Sequence, residues 1–354
     1  MQDDTLRRLR ILLETEYGVS VRDVEELNGA TSAHVFVVTL ADGTRRIAKT
    51  SLWYGFTDDP KAVLEKVYAV AEKLGAEGVA LQTAQRKVGG DFVAELDGLP
   101  LVLLRYVDGV AFTGRPEEFA AAGDALGRFH AAGARILASE PGEAADIRAR
   151  VPLEKPYEES RAVYVQIKER IMLPVQGEPP EVAVARDALP QMEELMQFVD
   201  VSFKRPLTET ILHGDFGAPN GLYEDDGRFA GFIDIDQLGV GPSITDIAIS
   251  LGSLATAYMK THTLEEFHAM AVVFLRAYHL VHPLPADEYG LLLAANQRWD
   301  VMRILRILRR HFEGSGAFEN PLKKMATRFI PRLAKAPDIF AFVKEPLTRS
   351  IIER

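Results

Sequence analysis

The stretch Ile211–Ala248, ILHGDFGAPNGLYEDDGRFAGFIDIDQLGVGPSITDIA, decides how this chain reads. It sets His213-Gly214-Asp215 after an apolar run, Asn220 shortly beyond, and Asp234 at the end of a second apolar run, Phe232-Ile233. Phosphoryl transfer asks for these residue types: a carboxylate to accept a hydroxyl proton, and hard oxygen donors to hold Mg²⁺ against nucleotide phosphates. Asp215 is the candidate base. A tight loop points the Asn220 amide oxygen back into the same pocket. Asp234 reaches the metal from the neighbouring strand, across the turn Asp225-Asp226-Gly227.

Working outward, the residues before this segment read as strands around one helix. Ala33–Leu40 and Arg45–Ser51 flank the turn Ala41-Asp42-Gly43-Thr44, and the short runs Phe92–Leu96 and Pro100–Tyr106 flank Asp97-Gly98. Between them, Val63, Val67, Val70, Ala71 and Leu74 give Pro60–Leu74 a helical period that ends at Gly75. After Asp108-Gly109 the pattern turns helical. Phe119, Ala122, Leu126 and Phe129 share one face of Glu117–Ala134, Leu173–Pro190 reads as a loop or small insertion, and helices dominate from Asp246 onward. The expected class is α+β: a small β-rich lobe over residues 1–108 and a larger, mainly helical lobe over residues 109–354.

Composition bounds the function. Lys and Arg number 41 against 51 Asp and Glu, a net charge of −10, which argues against a nucleic-acid partner. Hydrophobic residues at 47% and charged residues at 26% match a folded soluble protein rather than a disordered one. With no cysteine, disulfides and thiolate chemistry are excluded, and a reducing cytoplasm is the expected setting. MQDDTLRRLR at the start has no leader-like apolar stretch, and no uninterrupted apolar run reaches membrane length. The expectation is a cytoplasmic monomer or homodimer with no membrane partner.

The order HGD, then Asn220, then an apolar strand ending in Asp234 resembles the superfamily of aminoglycoside phosphotransferases, choline kinases and type II homoserine kinases. The resemblance runs over about Leu27–Ala248 and implies a two-lobed, protein-kinase-like fold. It also implies a nucleotide donor, ATP or alternatively GTP, with Mg²⁺ and a small-molecule hydroxyl acceptor. By it, Asp215 is the catalytic base, Asn220 and Asp234 are metal ligands, and Asp246 supports the loop. Lys49, on Ile47-Ala48-Lys49, takes the place of the lysine that meets the nucleotide phosphates. Glu65 on the following helix is its ion-pair partner, with Glu72 the fallback. Leu27–Val35 (LNGATSAHV) stands for the nucleotide loop. Gly29 is its one glycine, so Thr31, Ser32 and backbone amides make the phosphate contacts. Leu101–Val107, with Leu104 and Tyr106, stands for the hinge whose backbone meets a purine edge.

Other constellations carry less. Gly239-Val240-Gly241 lacks the third glycine of a dinucleotide fingerprint, and neither a Walker loop nor a GxSxG elbow occurs. His213 reads as a loop anchor and His130 as a satisfied helix histidine. His279 and His282 have metal-ligand spacing, but their nearest acids, Asp287 and Glu288, lie beyond Pro283 and Pro285, where the sequence does not place them. Asp236 is open between a metal or substrate contact and a solvated turn. On Gln297–Arg310 the stripe Val301, Ile304, Leu305, Leu308 opposes Arg303, Arg306 and Arg310. This is either a solvated basic face, or Arg298 or Arg303 meets a substrate anion. The acceptor's sign stays open too: Glu154, Glu158 and Glu159 suit a cation, Arg298 and Arg303 an anion. A protein Ser/Thr kinase and a nucleotide-binding pseudokinase are the alternatives. The short Asp234–Asp246 interval opposes the first, and the intact Lys49, Asp215, Asn220 and Asp234 oppose the second.

Overall fold

The computed structural model describes residues 2–27, 33–51, 59–139, 157–173, 176–203, 205–313 and 321–344. Thr31, Ser32 and Glu154 lie outside the described residues, as do the side chains of Glu158 and Glu159. The chain divides into two units, Met1–Gly109 with Ala230–Asp236, and Val110–Phe229 with Gln237–Arg354. It therefore returns to the first unit late, at the segment that carries Asp234.

The first unit opens on α1 (Gln2–Glu16), which corrects the expectation of a single helix in this region. Leu9 and Leu13, one turn apart, are fully buried with Tyr17 against the sheet, but the charged residues around them, Arg7, Arg8, Arg10 and Glu14, mask the stripe. The sheet comprises β1 (Val21–Glu26), β2 (Ala33–Leu40), β3 (Arg45–Ser51), β4 (Val93–Leu96) and β5 (Leu99–Arg105). All pairs are antiparallel in the spatial order 1-2-3-5-4. Turn chemistry fixes both hairpins. The Thr44 N–H donates to the Asp42 carboxylate at 2.9 Å, and Asp97 and Gly98 both take positive φ, 54° and 79°. Such a left-handed pair matches the twist of the strands it joins. Helix α2 (Pro60–Ala76) starts where Asp59 accepts the Ala62 N–H at 2.9 Å. It runs just past Gly75 and buries Leu64, Val67, Tyr68, Ala71 and Leu74.

The second unit is mainly helical. After β6 (Val110–Ala111) comes α3 (Pro116–Ser139), whose entry is organised by the buried Glu118. Its carboxylate accepts the Thr113 N–H and hydroxyl, at 2.8 and 2.7 Å, and the Gly114 N–H at 2.8 Å. Burial pushes its pKa up, but these bonds outweigh burial and hold it below the usual range. The chain continues through α4 (Tyr157–Ile171), α5 (Pro180–Ser202), β7 (Glu209–Leu212), β8 (Gly221–Tyr223), β9 (Phe229–Phe232) and β10 (Gly239–Pro242). Then follow α6 (Ser243–Tyr258), α7 (Leu264–Val281), α8 (Leu292–Phe312) and, after a π-helical turn at Met325–Phe329, α9 (Ile330–Ile339).

Two packing facts position the site. Helices α3 and α7 approach closely because Gly123 and Gly127 lack side chains. A Cβ on Gly123 would stand 2.2 Å from the Phe274 carbonyl oxygen. Helices α4 and α5 bury Ile167, Val182, Ala185, Leu189 and Met192 against Ile304, Leu305 and Leu308 of α8. Helix α5 corrects the expected loop at Leu173–Pro190. Its three- and four-residue apolar spacing outweighs Pro190 within it, and the Pro- and Glu-rich composition hid that stripe. No described helix is long and apolar enough to cross a membrane.

Candidate active site

In the second unit, β7 ends at Leu212 and delivers His213-Gly214-Asp215. Gly214 sits at φ +79°, a left-handed turn that glycine enters without steric cost. One carboxylate fixes the turn. Buried Asp246, in the first turn of α6, accepts the His213 N–H at 2.6 Å and the Gly214 N–H at 3.0 Å. His130 Nε2 lies 3.2 Å from the same carboxylate, and its Nδ1 lies 2.7 Å from the Tyr278 hydroxyl. The network assigns the proton to Nε2, so that Nδ1 accepts from Tyr278. Next to it, burial and the neighbouring His130 lower the His282 pKa to about 4. The Asp215 N–H donates to His213 Nδ1 at 3.3 Å, so His213 does anchor the loop.

The loop then folds back. Asn220 donates its side-chain amide to the Asp215 carbonyl at 2.8 Å, which leaves Oδ1 outside that bond. Gly217 allows the return: a Cβ there would stand 2.3 Å from Ser253 Oγ, the atom that accepts the Ala218 N–H at 3.2 Å. The Asp215 carboxylate is gripped unequally. Arg303 of α8 holds Oδ1 at 2.7 Å, while Gln237 Nε2 reaches Oδ2 at only 3.4 Å. The arginine face of α8 is thus not solvated. The Arg303 side chain is 12% exposed, and Arg306 and Arg310 are half-buried. Arg298 goes elsewhere, lining a cavity of about 460 Å³ with Phe203, Leu207, Trp299 and Met302.

In the first unit, Lys49 lies on β3 opposite Val35 and Val102. Its ammonium donates to Asp234 Oδ1 at 2.6 Å and to Asp236 Oδ2 at 2.5 Å. Burial alone would lower the Lys49 pKa, but the two carboxylates outweigh it and the pKa rises. Tyr68 of α2 donates to Asp236 Oδ1 at 2.6 Å, so Asp236 is a largely shielded acceptor rather than a solvated turn residue. Asp234, about half-exposed, has φ +60°, a strained backbone for a residue other than glycine. The strand that carries it is anchored where the Phe232 N–H meets the Ala80 carbonyl and the Gln82 N–H meets the Phe232 carbonyl.

The ion-pair expectation for Glu65 is corrected. Its carboxylate accepts the N–H groups of Phe92 and Val93, at 2.9 and 2.8 Å, and so ties α2 to the start of β4. Glu72 pairs with Arg86. Leu104 is buried, with its backbone opposite Ile47, and Tyr106 lies 3.9 Å beneath the Arg45 guanidinium. His279 faces the Tyr289 hydroxyl and His282 the Ser243 hydroxyl. Among the described residues, no cluster of three or more His, Cys, Asp or Glu could hold a metal. Asp215 and Asn220 therefore share one cluster, and Lys49 and Asp234 another. The sequence reading missed Gln237 and Tyr68, whose roles follow from contacts distant in the chain.

Solved structures share this architecture. Amicoumacin kinase hAmiN, solved with AMP-PNP, Ca²⁺ and Ami, superposes with a TM-score of 0.65 at 16% identity, covering 92% of each chain. Aminoglycoside 2′-phosphotransferase-IIIa, solved with GDP, gives 0.63 at 15% identity, covering 94% of this chain and 99% of that one. A choline/ethanolamine kinase family protein from Mesorhizobium loti gives 0.55 at 17%, covering 96% and 99%. At these identities the likeness is one of fold: the N-terminal antiparallel sheet and mainly helical remainder are a kinase-like α+β fold. No curated protein sequence matches the chain. The model of the APH family, described as a phosphotransferase enzyme family, does match, over residues 23–289. That span holds the Lys49 cluster, the His213-Gly214-Asp215 turn and its Asp246 brace, and the chain belongs to the APH phosphotransferase enzyme family.

Proposed function

We propose that this phosphotransferase moves the γ-phosphoryl group of ATP, with Mg²⁺, to a hydroxyl of a small molecule. GTP is the alternative donor, since one structural neighbour was solved with GDP. The enzyme works in the cytoplasm as a monomer or homodimer, without a nucleic-acid or membrane partner. The observation that carries the reading is the Asp215 turn, a carboxylate on a loop that Asp246 pins through two N–H groups.

The acceptor hydroxyl oxygen attacks the γ-phosphorus as its proton passes to Asp215, and the bond to the β–γ bridging oxygen breaks to release ADP. Oδ2 is the oxygen that takes the proton, because Arg303 already occupies Oδ1. Arg303 and Gln237 fix the carboxylate's orientation, which supplies the positioning on which this chemistry depends. Lys49 meets the nucleotide phosphates, Leu104 and Tyr106 belong to the purine-binding hinge, and Thr31 and Ser32 to the phosphate loop. Asn220 Oδ1 and the half-exposed Asp234 are hard oxygen donors of the kind Mg²⁺ takes. Mg²⁺, when bound, neutralises charge on the phosphates.

The test is ATP depletion against a panel of hydroxyl compounds, with mass spectrometry for one added phosphate. Beside it, thermal shifts with a non-hydrolysable ATP analogue are recorded with and without Mg²⁺. The expected results are transfer to a small acceptor, and a Mg²⁺-dependent shift that Asp234→Ala removes. Labelling of protein Ser or Thr with no small-molecule transfer refutes the acceptor class. An undiminished Mg²⁺-dependent shift in the variant refutes the ligand role of Asp234.

A further inference from the structure

The surroundings of Asp215 carry more positive charge than one carboxylate needs. Arg303 pairs with it, and three guanidinium groups crowd one ring: Arg303, Arg328 and Arg332 lie 5.2, 5.9 and 5.5 Å from the centre of Phe329. Arg332 is answered by Asp300, with Nε to Oδ2 at 2.8 Å and a second, parallel bond to Oδ1. Among the described residues, Arg328 has no such carboxylate, and its Nε and that of Arg303 are buried with no hydrogen-bond partner. A π-helical turn at Met325–Phe329 brings Arg328 to this place, and such turns recur at functional sites.

Arg306, one turn beyond Arg303 on α8, completes the group. Burial first, then Arg303 and Arg310, lower its pKa to about 10, with Asp215 acting the other way. Burial, Arg332 and Arg303 likewise lower that of Arg328, against Asp215 and Asp300. Arg303 and Arg328 are like charges held together out of water, each with a buried Nε that no described residue accepts, and an anion beside them relieves both costs.

Resting on the phosphotransferase reading above, we infer that Arg303, Arg306 and Arg328 form an anion subsite beside Asp215. The acceptor then carries a carboxylate or a phosphate as well as the hydroxyl that receives the phosphoryl group. Guanidinium groups suit both anions, since each can take two parallel N–H bonds. The anion seats on the arginines, and the hydroxyl of the same molecule is presented to Asp215. A cationic acceptor, such as an amino alcohol or an aminoglycoside, meets repulsion at the same place.

The experiment offers the intact enzyme, with Mg²⁺ and ATP, matched acceptors. Hydroxy acids such as glycerate are set beside their amides, and hydroxyl-bearing phosphate esters such as glycerol 3-phosphate beside their parent alcohols. Choline, ethanolamine and kanamycin form the cationic arm. The expected result is kcat/KM at least tenfold higher for one anionic set than for its neutral partners, and the set that responds identifies the anion. Arg328→Gln should raise KM for that set at least tenfold while kcat changes only a few-fold, and Arg328→Lys should recover part of the loss. Should Arg328→Gln fail to fold, Arg306→Gln serves the same comparison. Equal use of neutral and anionic partners, or preference for the cationic arm, overturns the subsite and leaves the phosphotransferase reading standing. No transfer to any acceptor, together with no Mg²⁺-dependent nucleotide shift, overturns both.

Discussion

The Lys49 and Asp215 centres use the same two kinds of group in opposite proportion. At Lys49 one ammonium lies between two carboxylates, and Asp234 remains about half-exposed. At Asp215 one carboxylate is gripped by Arg303, with Arg306 and Arg328 close enough for their charges to be felt. In the first, the carboxylates outnumber the cation between them; in the second, the guanidinium groups outnumber the carboxylate they surround. Their supports differ as well. Asp236 takes a hydroxyl from Tyr68, whereas the Asp215 loop is braced by Asp246 through backbone N–H groups.

The sharpest way to break this contrast is Asp215→Asn, which keeps the shape and removes the proposed base. Turnover should fall by about 10²–10⁴ with the far-UV circular dichroism unchanged. Near-wild-type turnover would remove Asp215 from the chemistry and leave its arginines without a catalytic purpose. Next in size is Asp246→Ala, which strips the acceptor from two buried N–H groups and from His130. Unfolding in urea should register a loss on the order of 3 kcal/mol. A loss below about 1 kcal/mol would mean the loop holds itself, without its brace.

Glu65→Gln sharpens the other centre. Because Glu65 holds the N–H groups of Phe92 and Val93, the variant should lose about 1–2 kcal/mol of stability. Turnover should stay within about threefold, because Lys49 already has Asp234 and Asp236 as partners. A hundredfold loss of turnover would restore Glu65 as the partner of Lys49 in the working enzyme.

The smallest effect is a slope against pH. His282 has a folded pKa near 4, below its ordinary value of 6.5, because burial and His130 disfavour its charged form. Between those values the unfolded chain binds a proton that the folded chain refuses, so stability rises with pH across that window. It is fully present above about pH 6.5 and lost progressively down to about pH 4. Melting temperatures of His282→Gln across this range should show a shallower acid limb than the wild type. An unchanged slope would assign the limb to other groups.

What the sequence revealed follows the range of the interactions involved. β2 and β3 end where Ala41-Asp42-Gly43-Thr44 demands, because an Asx turn and a left-handed glycine are written in adjacent residues. The His213-Gly214-Asp215 turn was legible for the same reason. Helix α1 was hidden by the charges around Leu9 and Leu13, and α5 by its prolines, since tertiary burial rather than propensity holds both. The helical spacing placed Glu65 on the right element. Periodicity gives a face and not a partner, however, so its contact with the start of β4 was not visible. The Arg303 pair with Asp215 was not foreseen: the sequence offered Arg303 a solvated face or a substrate anion, because nothing local in α8 points to a carboxylate distant in the chain.

The grip on Asp215 also bears on inheritance. The match to the family model stops at residue 289, yet the cation that holds Oδ1 belongs to α8, which begins at Leu292. Asp215 thus lies inside the span that the family model matches, and the cation that orients it lies beyond that span. Exchange of the segment after Tyr289 between relatives would replace the arginine that holds Asp215 without altering Asp215 itself. A chimaera cut at that border is therefore a coupled change, in which the arginines proposed to seat an anion and the one that aims Asp215 travel together.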